Sequence, residues 1–289
     1  MSRRRMLDPN RDLDPNRDLD PNHELAAFLR TRRERLDPHD FALPVRRQTR
    51  RTPGLRREEV AELAGVSSDY IVRLEQARGL RPSADVVEAL AAALRLTADE
   101  RAYLFDLTRQ RPATAGEAAA EAAPALARLV ADLAPTPAML LNHRADLLAW
   151  NDEMARLLLD FDELPPAQRN ALWICLVRPE MRNFYVDRER IVREGIAHLR
   201  AAWAAHPDDR ALADLIAICT ADAEIAGWWA ERDVKVNGRG RKTMRHPGVG
   251  LVSVDFETLT PLGDPGQRLV LCRPADDDSR AAMRELAKR

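Results

Sequence analysis

Residues 59–76 read EVAELAGVSSDYIVRLEQ, and this stretch decides the fold of the N-terminal part of the chain. Its apolar spacing predicts a helix over residues 57–64, with three inward-facing side chains, Val60, Ala61 and Leu63. Gly65 can take the left-handed conformation that ends a helix without side-chain strain. The stretch therefore begins as a short amphipathic helix that stops at a tight turn.

A second short helix follows this turn. Ser67 or Ser68 is placed to cap it, because a Ser hydroxyl accepts a hydrogen bond from a backbone N–H of the first helical turn. Its inward face carries Ile71 and Leu74. A short helix, a glycine turn and a capped second helix match the helix-turn-helix unit. In that unit, the N-terminal residues of the second helix meet base edges in the major groove of DNA.

Helical patterns also lie on both sides of this pair. Residues 24–36 place four apolar side chains roughly on one helical face, Leu25, Phe28, Leu29 and Leu36. Residues 85–96 are apolar at helical spacing, and Thr97 with Glu100 forms a capping box for a further helix. Five helices without a strand signal predict an all-α helix-turn-helix domain over residues 23–111.

The remaining segments differ in composition. Residues 7–24 are a near-perfect LDPNRD hexad repeat, and a Pro every six residues forbids a continuous helix, so residues 1–22 are predicted to be a disordered tail. An Ala-rich stretch predicts a linker over residues 112–123. Residues 124–274 carry mixed patterns that predict an α+β domain with a small antiparallel sheet, and residues 275–289 a C-terminal helix or tail.

Within the predicted α+β domain, residues 138–151 indicate two short strands around a turn, and three helical segments follow, near 151–160, 188–206 and 210–232. Further along, a period of two places three apolar side chains on one strand face, Val252, Val254 and Phe256. Residues 268–272 are the expected antiparallel partner of that strand.

The amino-acid composition limits the classes of protein to which the chain can belong. The chain has 289 residues, 45% of them hydrophobic and 31% charged, which is typical of a soluble globular protein with two domains. No apolar run reaches the roughly 18 residues of a membrane span, and three widely spaced cysteines form no metal or disulfide pattern. We therefore expect a cytoplasmic protein with no membrane partner.

The net charge of −1 hides a basic segment. Residues 30–57 contain ten arginines against three acidic residues, and none of the cations is Lys. The planar guanidinium suits phosphate oxygens, so this segment favours a nucleic-acid partner. The alternative is a solvated charged face in an arginine-rich protein.

The stretch TPGLRREEVAELAGVSSDYIVRLEQARGLRPS, residues 52–83, resembles two related groups of proteins. With Ala61, Gly65 and the Leu74-Glu75 pair, it resembles the phage-repressor (xenobiotic-response-element) class of helix-turn-helix domains. As a whole it is similar to transcription regulators with an MmyB-like C-terminal domain. The resemblance implies a sequence-specific regulator of transcription, nucleoid-associated, that binds double-stranded DNA as a homodimer.

By position in the motif, the resemblance assigns base contacts to four residues of the second helix: Ser68, Asp69, Tyr70 and Arg73. Arg73 could donate to N7 and O6 of a guanine, and Asp69 could accept from a cytosine amine. The structural alternative is that Asp69 complements the helix dipole and forms an ion pair with Arg73, four residues on.

Phosphate contacts are expected at the ends of the neighbouring helices, from Arg56, Arg57, Arg81 and Ser83. An arm preceding them could lie against DNA or remain a solvated loop, and it contains Arg46, Arg47, Arg50 and Arg51. The resemblance gives Glu75 a structural role instead, paired with an arginine of the first helix, Arg33.

The C-terminal part holds all five tryptophans of the chain. Most such residues belong to the core, but clustered aromatic side chains between a sheet and helices also line pockets. The resemblance implies a PAS-like fold and a hydrophobic, fatty-acyl-like effector. Lining candidates are Trp150, Met154, Phe184 and Trp229, and Arg245 or His246 could bind a carboxylate head.

Two other functions remain open for this part of the chain. His246, Ser253 and Asp255 are the residue types of a hydrolase, but no G-x-S-x-G elbow surrounds Ser253. Phosphate-loop, zinc and dinucleotide motifs are also missing from the sequence, so we predict no catalytic residue, metal or cofactor. Alternatively, the C-terminal domain serves only to pair subunits or bind a protein partner.

Overall fold

The computed structural model describes residues 19–41, 54–79, 81–110, 118–235 and 238–288. The chain divides into two compact units between residues 113 and 114. The first two copies of the hexad repeat and the proposed arginine arm lie outside the described residues, so nothing tests those two predictions. In the part that is described, no helix combines the length and apolar character that a bilayer crossing requires.

The five predicted helices are present in the described part of the N-terminal unit. They are α1 (Pro21–Arg35), α2 (Arg57–Ala64), α3 (Ser68–Leu74), α4 (Ala84–Ala93) and α5 (Ala98–Leu107). Phe28 of α1 and Tyr103 of α5 meet edge to face in the core, with ring centroids 5.1 Å apart. The capping box of Thr97 and Glu100 at the start of α5 is present as predicted.

The start of α1 corrects the predicted extent of the disordered tail. Asp20 accepts a hydrogen bond of 2.7 Å from the backbone N–H of Asn22, and Pro21 occupies the first helical turn. The third copy of the hexad therefore begins a helix. Asp-Pro is turn chemistry, but it is equally an N-cap followed by a Pro whose missing N–H needs no partner there.

Gly65 ends α2 as predicted, with φ at 65° and its N–H directed to carbonyls of that helix. Ser67, rather than Ser68, caps α3 and accepts a 3.1 Å hydrogen bond from the Tyr70 N–H. The inward assignment of Leu63 is wrong, because its side chain is exposed. Ala64 takes the inward place, since residues 60 and 64 are one turn apart on the same side of the helix.

The C-terminal unit is an α+β domain, as predicted. Its helices are α6 (Pro124–Asp132), α7 (Asp152–Leu157), α8 (Ala171–Leu176), α9 (Arg188–Ala205), α10 (Arg210–Thr220), α11 (Ala223–Ala230) and α12 (Asp277–Leu286). Its strands are β1 (Ala138–Asn142), β2 (Leu147–Trp150), β3 (Arg239–His246), β4 (Gly250–Leu259) and β5 (Gln267–Pro274). The strands form one antiparallel sheet in the order β2-β1-β5-β4-β3.

Two elements differ from the sequence-based prediction. The single helix expected near 210–232 is two helices, because the Asp222 carboxylate accepts from the N–H groups of Glu224 and Ile225 and starts α11. Strand β3 was not predicted, since RGRKTMRH has too few apolar residues to show an alternating pattern. Backbone pairing to β4 along its whole length makes it a strand.

The two faces of the sheet contact different parts of the unit. On β1, Ala138 and Leu140 pack against Val130 of α6, while Met139 and Leu141, pointing the opposite way, line a cavity. Helices α7, α8 and α9 contribute the other walls of that cavity. The sheet thus has one face closed by α6 and one face that bounds an internal space.

Candidate DNA-binding surface and ligand cavity

The surface of α3 carries the residues that the sequence assigns to base contacts. Ser68, Asp69 and Arg73 are exposed and Tyr70 is half-buried, whereas the inward residues of the same helix are covered. Asp69 and Arg73 do not form the ion pair of the structural alternative, and neither side chain has another polar partner among the described residues. Partial burial raises the pKa of the Tyr70 phenol, which keeps its hydroxyl neutral.

Glu75 holds the C-terminal end of α3 against α1. Its carboxylate is buried and accepts hydrogen bonds from Arg33 Nε at 2.6 Å and Arg33 Nη2 at 3.1 Å. Although burial alone would lower it, these bonds raise the pKa of Arg33. The Glu75 backbone carbonyl also accepts from Arg30 Nη2 at 2.8 Å. The structural pair implied by the resemblance is therefore present, and it joins α1 to the end of α3.

Arg57 was predicted to contact phosphate, and the structure adds a contact within the N-terminal unit. Its Nε donates a hydrogen bond of 2.7 Å to Glu75 Oε2, so Arg57 and Arg33 bind the same buried carboxylate. Its neighbour Arg56 stands at the N-cap of α2 and is half-buried, and its backbone N–H donates to Glu59 Oε2 at 2.7 Å. Both arginines thus have parts in the helix pair besides any contact with DNA.

The remaining phosphate candidates lie beyond α3. Arg81 is exposed and has no polar partner among the residues described. Ser83 is the N-cap of α4 and accepts from the Val86 N–H at 3.4 Å. Gln76 and Arg78, which the sequence analysis did not single out, are exposed immediately after α3.

The C-terminal unit encloses a cavity of about 340 Å³. Most of its lining is apolar and comes from β1, β3, β4, β5 and helices α7 to α9, including Leu141, Met154, Phe161, Leu172, Val254 and Val270. Of the six ligand-binding candidates from the sequence, only Met154 lines this cavity. The volume and the apolar lining suit a small hydrophobic ligand.

A basic pair occupies the cavity wall. Arg268 Nη1 donates to His198 Nε2 across 2.8 Å, so the imidazole accepts there and is neutral. Burial, with the charges of Arg268 and Lys242, lowers the pKa of His198 to about 3. Burial also lowers the pKa of Arg268, yet a guanidinium stays protonated in a protein. Arg268 has no carboxylate partner in the described part of the chain.

Lys242 supplies a second cation. Its Nζ lies 4.8 Å from the Phe256 ring centroid and 5.9 Å from that of Tyr185, and none of the described carboxylates pairs with it. Glu194 lines the same cavity, but its Oε1 accepts from Arg190 at 3.1 Å and from Lys235 at 3.2 Å. Lys242 and Arg268 thus place two half-buried cations on the wall of a mainly apolar cavity, and neither pairs with a described carboxylate.

The nucleophilic groups of the cavity are held neutral. Burial raises the pKa of the Cys175 thiol, and raises that of Cys272 to about 11. Burial also raises the pKa of Tyr185 well above its usual value. Thiols in such surroundings are poor nucleophiles, so the cavity is suited to binding rather than covalent chemistry.

The other aromatic candidates stand behind or away from the cavity wall. Trp150 packs edge-on against Phe161 at 5.3 Å, and Phe184 against Tyr185 at 5.2 Å, so each supports a lining residue. Trp229 is buried with the Arg200 guanidinium 4.0 Å from its ring centroid. Phe184 and Trp229 are buried in the core, the alternative considered from the sequence, whereas Trp150 is half-buried.

The predicted head-group residues also lie elsewhere. Arg245 is exposed, and on β3 it points away from the face that carries Lys242 and Met244. His246 is held in a turn: its Nε2 lies 2.9 Å from Arg156 O, and its Nδ1 accepts from the Gly248 N–H at 3.1 Å. Lys242 was missed because β3 itself was not predicted.

The hydrolase residues are not brought together. The Ser253 hydroxyl lies 2.8 Å from the Thr243 hydroxyl, and Asp255 is bound by Arg241 through two hydrogen bonds of 2.8 and 3.0 Å. His246 is hydrogen-bonded in its turn, as described above. Nor do the described residues contain a cluster of His, Cys, Asp or Glu able to hold a metal ion.

Comparison with known protein families identifies a domain in each of the two units. The family described as a helix-turn-helix domain matches residues 24–104, and the family described as the MmyB-like transcription regulator ligand binding domain matches residues 122–286. A search of curated proteins finds no match. The second family covers more than half of the chain and contains the whole sheet and its cavity. The chain therefore belongs to the MmyB-like transcription regulators, with an N-terminal helix-turn-helix DNA-binding domain and a C-terminal ligand-binding domain.

Proposed function

We propose that this protein regulates transcription in response to a fatty-acyl-like ligand, with a hydrophobic chain and an anionic head, bound in the cavity of the C-terminal unit. One observation carries the choice of ligand: Lys242 and Arg268 line an otherwise mainly apolar space, and no described carboxylate pairs with either. A neutral ligand would leave these two half-buried cations without a counterion, whereas a carboxylate would neutralise their charge within the cavity.

The N-terminal unit reads DNA in this proposal. α3 lies in the major groove with Ser68, Asp69, Tyr70 and Arg73 towards the bases. Three of these side chains are exposed, and the Arg33–Glu75 pair holds the end of the helix in place. Arg81 and the N-terminus of α4 contact the phosphate backbone. A homodimer presents two such units to half-sites about one helical turn apart, as in other proteins with this motif.

Binding of a long-chain carboxylic acid to the purified protein tests the ligand. We expect denaturing extraction and mass spectrometry to release such an acid, and we expect Lys242→Met and Arg268→Met to weaken its binding by about tenfold or more, the effect of one lost charge-assisted hydrogen bond. Arg245→Met is the matched control: it removes an exposed cation from the same strand as Lys242 and should leave affinity unchanged.

The uncharged methyl ester separates the head from the chain. The ester should bind more weakly than the acid to the wild-type protein, and this difference should disappear in the Lys242→Met/Arg268→Met double variant. If the protein binds neither acid nor ester, the cavity is not a sensor site and the C-terminal unit serves subunit pairing or a protein partner instead.

Footprinting upstream of the protein's own gene and its neighbours tests the DNA-binding proposal. We expect a protected site with two half-sites, and a change in its occupancy when the acid is added. Protection that is uniform along the DNA would contradict sequence-specific regulation.

A further inference from the structure

Arg57 is placed between the solvent and a buried carboxylate. Its Nε donates to Glu75 Oε2 across 2.7 Å, and its side chain is 41% exposed while that of Glu75 is 1% exposed. A guanidinium carries five N–H donors, and no second hydrogen bond of Arg57 is formed within the described residues. One edge of the group is therefore engaged inside the protein, and the rest is available to an external acceptor.

The two ends of this contact belong to the two helices of the helix-turn-helix unit. Arg57 is the first residue of α2, and Glu75 directly follows the last residue of α3. The first helix of such a unit crosses the DNA backbone, and the second enters the groove. A cation at the start of α2 thus lies where a phosphate is expected, while its inner edge holds the end of the recognition helix.

We propose that Arg57 is a bridging residue, which binds a DNA phosphate through its outer N–H groups and at the same time positions α3 through Glu75. This inference rests on the proposed function, because it needs α2 and α3 to engage DNA. A phosphate contact of this kind sets the orientation of α3 as well as supplying charge. Arg57 therefore contributes to specificity although it touches no base.

Lysine cannot replace this function. Its ammonium is a point charge that can attract a phosphate, but it lacks the planar fork that reaches two acceptors in fixed directions. Arg57→Lys therefore keeps the charge and loses the bridge. Arg81→Ala is the comparison, because Arg81 is exposed and has no polar partner among the described residues, so that it can act on phosphate alone.

The experiment measures binding of the full-length protein to its footprinted site and to a random duplex over a range of salt concentrations. Arg81→Ala should weaken both duplexes by the same factor and reduce the salt slope by about one. Arg57→Lys should keep the salt slope close to wild type but lower the specific-to-random ratio by about tenfold, similar to losing a base contact. Arg57→Gln should lower both the salt slope and the ratio of specific to random binding.

The outcomes separate this inference from the proposed function. If the wild-type protein does not prefer its site over random DNA, sequence-specific binding itself is wrong. If it does, but Arg57→Lys retains the wild-type ratio, Arg57 is only a phosphate contact. If Arg57→Gln leaves the salt slope unchanged, Arg57 contacts Glu75 but no phosphate. Each of these two results for the Arg57 variants would contradict the proposed bridging role. Thermal unfolding of each Arg57 and Arg81 variant checks that the substitution leaves the protein folded.

Discussion

Arg33 of α1 and Glu75 at the end of α3 form a buried ion pair with two hydrogen bonds, and their side chains are 6% and 1% exposed. The pair joins residues 42 positions apart in sequence and holds the recognition helix against α1. Because water is excluded, neither charge can be solvated if the other is removed. The orientation of α3 therefore depends on a contact buried inside the N-terminal unit.

Removing one partner of this pair should strongly destabilise the N-terminal unit. We expect Arg33→Met to lower the free energy of unfolding by about 1.5–3 kcal/mol, because the buried Glu75 carboxylate loses its charge-assisted hydrogen bonds to Arg33 and keeps only the one to Arg57. Urea denaturation measures the change. Glu88→Gln, which breaks the exposed pair with Arg101, is the control and should have no measurable effect. Equal effects of the two substitutions would contradict the role assigned to Arg33.

Two glycines before and after α2 should respond differently to substitution. Gly65→Ala places a side chain in open space at a φ of 65°, so it should cost only the left-handed strain of about 1–2 kcal/mol. Gly54→Ala should cost more, because its Cβ would overlap the backbone carbonyls of Arg33 and Glu34 as well as adopt a φ of 75°. Thermal unfolding of both variants measures the difference; a smaller loss for Gly54→Ala would contradict this packing.

Arg73→Ala should change specificity rather than overall attraction to DNA. If Arg73 reads a guanine, its loss should cost about 1–3 kcal/mol on the natural site and nothing on a site with that base pair changed. Binding to a set of singly substituted duplexes measures this. Equal loss on every duplex would mean that Arg73 contacts phosphate.

The C-terminal unit should lose stability as the pH falls below about 6.5. The pKa of His198 is about 3 in the fold, because of burial and nearby cations, against an ordinary value of 6.5, so between these values the unfolded chain binds the extra proton. His206 acts in the same direction, since burial and the adjacent His143 lower its pKa to about 4. Above pH 6.5 neither group adds pH dependence.

Urea denaturation of the C-terminal unit between pH 4 and 8 tests this. His198→Gln retains an acceptor for Arg268 and should reduce the slope of stability against pH by up to about 1.4 kcal/mol per pH unit within the window. An unchanged slope in this variant would show that His198 is not the titrating group.

Local chemistry made the helix-turn-helix unit predictable. The bounds of α2, the glycine turn and the serine cap depend on residues within one or two turns of each other, so the sequence contains all the interactions that place them. The same holds for β4, whose alternating Val252, Val254 and Phe256 are buried as expected. Leu63 was misplaced because an eight-residue helix leaves its inward stripe poorly defined.

The lining of the proposed ligand cavity was not predictable in the same way. Lys242 lies on a strand that pairs only because β4 is beside it, and Arg268 reaches His198 across 70 residues of chain. Aromatic content pointed to the correct unit of the chain, but it could not distinguish a lining residue from the core residue behind it.

The amino-acid sequence by itself determined the helix-turn-helix pair and the exposed face of α3, because short-range periodicity and capping act within a single element. Only the tertiary structure decided that Arg57 turns inward to Glu75 and that Lys242 and Arg268 meet in one apolar cavity. Those contacts join elements far apart in the chain, and their energies arise from desolvation, which exists only once the elements have packed together.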